Sequence, residues 1–189
     1  MPISVAAVDE ALLAACRRGE SAAQYVLYRK LASNLLGVCM RYCPTQTEAE
    51  DALQETFVKI FTRLDQYRGQ GPFEAWAHRV AVTTSLNATK QQRLRHPAFS
   101  IDLDEVTDHL HASDSTGLEQ LAASDLIALM QTLPLGYRTV LNLYAVEGYS
   151  HSEIAALLGI TESTSKSQLT RARRMLETRL VVVHRISIP

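Results

Sequence analysis

Apolar residues recur three and four apart along most of the chain, the period of an amphipathic helix. A short helix is expected over 9–18, ending near Gly19. A longer one over 21–43 carries Val26, Leu27, Leu31, Leu35, Leu36, Cys39 and Met40 before Pro44 stops it. Thr47 with Glu50 three residues on predicts a capping box for a helix over 47–64, whose inner stripe is Leu53, Phe57, Ile60, Phe61 and Leu64. Gly69-Gln-Gly-Pro72 then breaks the chain. A further helix over 73–95 turns Phe73, Trp76, Ala77, Val80, Ala81 and Thr84 one way. Beyond it, 121–133 and 137–144 read as supporting helices. The longest strand-like run is Val181–Val183, so the pattern predicts an all-α protein.

The densest local signal lies at 149–176. Ser152 is placed to cap a short helix with Ile154, Ala155 and Leu158 inward; Gly159 supplies a turn, and Thr161 caps the next helix. This is helix-turn-helix spacing. At about 100° per residue, the second helix puts Ser165, Leu169, Ala172, Leu176 and Leu180 on one side. Opposite lie Ser163, Ser167, Thr170, Arg171 and Arg174, flanked by Lys166. Small hydroxyls allow close approach to a groove, and Arg and Lys supply phosphate contacts and base-edge reading. These six residues are the candidate DNA-contacting set.

Composition refines this picture. With 189 residues, 47% hydrophobic, 6% aromatic, 8 Gly and 6 Pro, the chain is neither disordered nor turn-rich. A net charge of −1 speaks against a strongly basic nucleic-acid binder. Its distribution speaks otherwise. Residues 1–97 carry 12 Lys/Arg against 9 Asp/Glu, and residues 120–189 carry 7 against 5. Residues 98–119 hold six acids (Asp102, Asp104, Glu105, Asp108, Asp114, Glu119) and no base. That segment, with Pro97, Ser100, Ser113, Ser115 and Gly117 and no sustained period, reads as an acidic linker between two helical domains, 1–97 and 120–189.

Other chemistry is sparse. Cys16, Cys39 and Cys43 read as reduced core thiols, because no further ligands at zinc spacing stand near them. The six His are scattered, with His109 and His111 solvated in the linker, and no nucleophile set or phosphate loop appears. Neither catalysis, metal nor cofactor is expected. The start lacks a basic leader and no long uncharged apolar run exists, so a cytoplasmic protein without membrane insertion is expected. One surface remains: Asp51, Gln54, Glu55, Val58 and Thr62 share the outer face of helix 47–64. An outward Val among acids and an amide suits partner docking, though a plain solvent face fits the same residues.

Four blocks then resemble one family: Asp51-Ala-Leu-Gln-Glu-Thr-Phe-Val-Lys-Ile-Phe, Tyr67-Arg-Gly, Phe73-Glu-Ala-Trp-Ala-His-Arg-Val-Ala, and Ser165-Lys-Ser-Gln-Leu-Thr-Arg-Ala-Arg. In order and spacing, over about 20–180, the chain resembles bacterial RNA polymerase sigma factors of the extracytoplasmic-function (ECF) group, which keep only regions 2 and 4. The resemblance implies a transcription initiation factor. It makes Asp51, Gln54, Glu55 and Val58 the face that docks on the β′ clamp helices of core polymerase. It gives loop 66–72 the capture of a flipped minus-ten base, with Tyr67 as aromatic wall and Arg68 for phosphate. It makes Arg79, Lys90 and Arg93 a backbone-contacting stripe on the melting helix, with Trp76 packing inward. Thr83 stands where similar proteins often carry Asn, and Ser165 where they usually bury Val, which predicts looser packing there by about 1 kcal/mol. The serine and arginine set of the last long helix becomes the reader of the minus-thirty-five element, and an anti-sigma factor becomes an expected partner.

A conventional helix-turn-helix regulator shares the C-terminal pattern but predicts tight DNA binding by the isolated protein. A sigma factor predicts weak promoter affinity without polymerase. The acidic linker is expected to run through a positively lined interior of the polymerase. Replacing its six acids with Asn, Gln or Ser should weaken core binding or initiation, measured by holoenzyme titration and run-off transcription; unchanged values in both would make the linker a tether.

Overall fold

The structure is a computed structural model describing the backbone of residues 8–95 and 128–186 and the side chains of 8–90 and 128–180. The predicted acidic linker, with His109 and His111, lies outside the described residues. All regular elements among those described are helical, and the chain divides into two compact units, Met1–Phe99 and Ser100–Pro189.

The first unit holds α1 (Glu10–Arg17), α2 (Ser21–Tyr42), α3 (Gln46–Thr62), a 3₁₀ turn (Leu64–Gln66) and α4 (Phe73–Arg95). Helices α2, α3 and α4 pack against one another pairwise, and α1 lies on α2. Their shared core is Leu27, Leu31, Leu35, Val38, Leu53, Phe57, Ile60 and Val82, with Ala49, Ala52, Ala77 and Ala81 where backbones approach closely. Each fully buried Leu or Ile contributes about 1.5–3 kcal/mol. A polar seam runs through this core. The Thr56 hydroxyl donates to Ala52 O at 2.7 Å, and the Thr89 hydroxyl reaches Tyr42 O at 3.4 Å, tying α4 to the end of α2. Cys16, Cys39 and Cys43 are buried and form no disulfide with one another, and burial pushes the thiols of Cys16 and Cys39 above the ordinary thiol range.

Three expectations need correction here. The capping box of α3 is Thr45 with Glu48: the Thr45 hydroxyl accepts from Glu48 N at 3.3 Å, and Thr45 N donates to the Glu48 carboxylate at 3.2 Å. The helix begins as soon as Pro44 permits, which leaves Thr47 inside its first turn. The helix stops at Thr62, and Leu64 reaches the core from the 3₁₀ turn. Val26 is exposed, because it sits about 100° round α2 from the buried Leu27.

The second unit opens on a helical turn at 128–131 and continues through α5 (Leu135–Leu141), a π-turn (Asn142–Val146), α6 (His151–Leu158) and α7 (Glu162–Ile186). The predicted helix over 137–144 is thus α-helical only as far as Leu141. Val181–Val183 continue α7 and form no strand. Helices α5 and α6 both pack on α7, burying Tyr137, Val140, Leu141, Leu143, Ile154, Leu169 and Ala172. Gly159 takes the left-handed conformation (φ 69°), and its N–H and that of Ile160 both donate to Ala155 O, at 2.9 and 3.1 Å. That closure ends α6 and turns the chain into α7.

Thr45→Ala should lower unfolding free energy by about 1 kcal/mol, whereas Thr47→Ala should stay within about 0.5 kcal/mol. Urea unfolding compares the two.

Candidate nucleic-acid and polymerase interface

Helix α7 is built to present one face. Thr161 caps it, its hydroxyl accepting from Thr164 N at 3.1 Å. Ser165, Gln168, Leu169 and Ala172 are buried, while Ser163, Lys166, Ser167, Thr170, Arg171 and Arg174 are all exposed. Ser163, Ser167, Thr170 and Arg174 fall on one strip opposite the buried side. Lys166 flanks it, 3.5 Å from Glu162. Arg171 leans to the other flank, donating to the Tyr137 hydroxyl at 3.3 Å. The Ser167 and Thr170 hydroxyls donate back to Thr164 O and Lys166 O, each at 3.0 Å. Their oxygens therefore face outward as short acceptors of fixed direction.

The support beneath α7 differs from expectation. Ser150, not Ser152, caps α6 in a capping box with Glu153. The Ser150 hydroxyl first, and its N–H second, hold the Glu153 carboxyl below the usual carboxylate range. That contribution is present above the unfolded value, near 4.3, and is lost as pH falls through the lowered folded value. Ser165 is fully buried, yet its hydroxyl lies 2.9 Å from His151 Nδ1. The looser packing predicted there does not follow, because the hydroxyl is paired across α6 and α7. The His151 ring stacks on Tyr144 of the π-turn (4.6 Å, 22°), and the Arg173 guanidinium lies 5.7 Å from the Tyr144 centroid. Arg173 and Tyr144 were missing from the candidate set. Nothing in the local pattern pairs residues 29 apart in sequence.

In the first unit, Asp51, Gln54, Glu55 and Val58 all project from the outer side of α3, with Val58 61% exposed. Glu55 pairs with Lys59 at 2.7 Å, and Lys59 also reaches the Thr84 hydroxyl at 3.3 Å, linking this face to α4. The Tyr28 ring of α2 lies tilted against Phe57 of α3 (4.7 Å, 53°).

The loop before α4 is closed on itself. The Tyr67 hydroxyl donates to Gly71 O at 2.7 Å, and Gly69 and Gly71 take positive φ. The Tyr67 ring meets Phe73 edge-on (5.1 Å, 84°) and lies 5.9 Å from Trp76. Trp76 is half-buried in that cluster, as expected for packing. Arg68 is exposed at the loop tip. Along α4, Arg79, Thr83 and Lys90 are exposed on one side, and the Thr83 hydroxyl donates to Arg79 O at 2.9 Å. The side chain of Arg93 lies outside the described residues. Among the described residues, no group of three or more His, Cys, Asp or Glu could hold a metal ion, and no helix is long and apolar enough to cross a membrane.

Comparison with known proteins gives these surfaces their context. Residues 27–95 match the model of sigma-70 region 2, and residues 123–176 that of sigma-70 region 4. The ECF RNA polymerase sigma-E factor of Haemophilus influenzae is 27% identical over 180 residues, spanning 91% of this chain and 95% of that protein. The ECF RNA polymerase sigma factor SigE of Mycolicibacterium smegmatis is 31% identical over 151 residues, 79% of this chain and 58% of that protein. A similar fold occurs in the sigma factor RpoE solved in complex with the anti-sigma factor NepR from Bartonella quintana. There the TM-score is 0.50 at 24% identity, with 83% of this chain and 97% of that one covered. The two matched regions leave only residues 96–122 between them. The chain therefore belongs to the sigma-70 family, as a sigma factor of the ECF group. It serves promoter-specific transcription initiation with RNA polymerase, and sigma factors are not in general enzymes.

His151→Ala leaves the buried Ser165 hydroxyl without its partner and should cost about 1–3 kcal/mol. His151→Leu with Ser165→Val should recover most of that loss. Thermal unfolding of the single and double variants checks the coupling.

Proposed function

We propose that the two units divide promoter recognition between them, with no catalysis by the chain itself and with the cytoplasm as its place of action. The outer face of α3 (Asp51, Gln54, Glu55, Val58) docks on the β′ clamp helices. Tyr67 and Arg68 take an unpaired minus-ten base, and Arg79, Thr83, Lys90 and Arg93 follow the open strand. Ser163, Lys166, Ser167, Thr170, Arg171 and Arg174 read the minus-thirty-five element. The outward polar strip of α7, opposite the face that buries Ser165, Leu169 and Ala172 and behind a glycine turn, carries this reading most directly. Strand separation draws on the binding free energy of the opened bases and on no hydrolysis. An anti-sigma factor that covers these faces fits the same surfaces, as NepR accompanies the Bartonella protein.

Run-off transcription with core polymerase and a promoter-fragment library should give discrete start sites; none would overturn the reading. Arg171→Ala with Arg174→Ala should weaken minus-thirty-five recognition by about tenfold or more, since a good bidentate contact is worth about 1–3 kcal/mol. Core binding should be unchanged. Tight operator binding by the isolated protein would favour a free-standing regulator instead.

A further inference from the structure

Arg173 does not share the strip of Arg174. It lies seven residues, two helical turns, beyond Lys166 and therefore on the same edge of α7. Both side chains are exposed. They are held in different ways. Lys166 faces a carboxylate of its own helix, whereas Arg173 rests by the ring of Tyr144, which reaches it from the π-turn of another segment. A guanidinium over an aromatic ring uses its π-surface, and its N–H donors around the rim stay available. Pairing with a carboxylate would consume those donors. The ring is itself seated: it stacks on His151, and His151 is hydrogen-bonded to the buried Ser165 of α7. Ser165, His151, Tyr144 and Arg173 thus form one chain of contacts that starts in the core and ends at a restrained, donor-rich cation.

We propose that Arg173 is a DNA-backbone contact beside the minus-thirty-five element, and that Tyr144 is the positioning residue that aims it. Arg173 binds phosphate and carries no base specificity. The ring removes rotamer freedom that an exposed arginine would otherwise lose on binding. The inference rests on the reading of α7 as the minus-thirty-five helix.

The test uses reconstituted holoenzyme and duplex fragments carrying matched or mutated minus-thirty-five elements, titrated over a range of KCl. Arg173→Ala should flatten the plot of log Kobs against log salt by about 0.9, the loss of one phosphate contact. It should also weaken matched and mutated sites equally, and Arg173→Lys should restore the slope. Tyr144→Phe, which keeps the ring, should behave as the parent. Tyr144→Ala should weaken binding but add nothing to Arg173→Ala. Both side chains are surface groups, and a melting curve for each variant verifies folding. An unchanged slope for Arg173→Ala beside a flattened one for Arg174→Ala overturns the inference and leaves the reading of α7 intact. Unchanged slopes in both overturn that reading itself. Additive losses for Tyr144→Ala and Arg173→Ala overturn the positioning role of the ring.

Discussion

Apart from the loop of Tyr67 and Arg68, each surface assigned to a partner is the outer face of a helix whose inner face is locked into a core, and that one-sided burial is the constraint from which the rest follows. Helix α3 can display Val58 only because Leu53, Phe57 and Ile60 hold its other side against α2 and α4. Helix α7 can display Arg174 because Leu169 and Ala172 are buried under α5 and α6. The small residues Ala77, Ala81 and Ala172 let those helices approach closely, so the outer faces keep a fixed direction. Partner recognition here depends on rigid display.

The two units meet that demand with different interiors. The first unit threads hydroxyls and thiols through its core, with Thr56 bonded within its own helix and Thr89 bonded across to α2. Paired in this way, polar atoms cost little and favour one packing arrangement. The second unit buries Arg138, Thr139, Asn142, Ser165 and Gln168, and one of these, Ser165 on the inner side of α7, meets His151 of α6. There the pairing links the orientation of α7 to α6 and, through the stacked ring of Tyr144, to the turn before it.

Much of this was legible in the chain. The spacing of Leu27, Leu31 and Leu35, and of Leu53, Phe57 and Ile60, placed the long helices, because a buried stripe repeats at the helical period whatever covers it. The outward positions of α3 and α7 followed by subtraction. Cap assignment failed where two hydroxyl residues stood two apart: Thr45 and Thr47, Ser150 and Ser152. Only the entering backbone decides between such neighbours, although Glu153 three residues after Ser150 was a usable sign. The π-turn was hidden because Asn142–Val146 has the apolar spacing of an ordinary helix. Ser165 looked like a packing defect because its partner is a tertiary neighbour fourteen residues away. Tyr67 showed as an aromatic near a glycine loop, but its bond to Gly71 O, which closes the loop, is a matter of geometry alone.

The π-turn has a consequence for how this chain could vary over time. Each of its hydrogen-bonded rings takes in one residue more than an α-turn, so Asn142–Val146 behaves as a one-residue insertion retained in a helix. Deleting Asn142 or Leu143 would let an ordinary α-turn form and would shift Tyr144 by about 100° relative to what precedes it. Its ring would then leave both His151 and Arg173. A point substitution removes one side chain from that contact, whereas such a deletion would carry the ring away from both partners at once. Among relatives, an alignment gap at this turn would carry more meaning than an exchange of any single side chain.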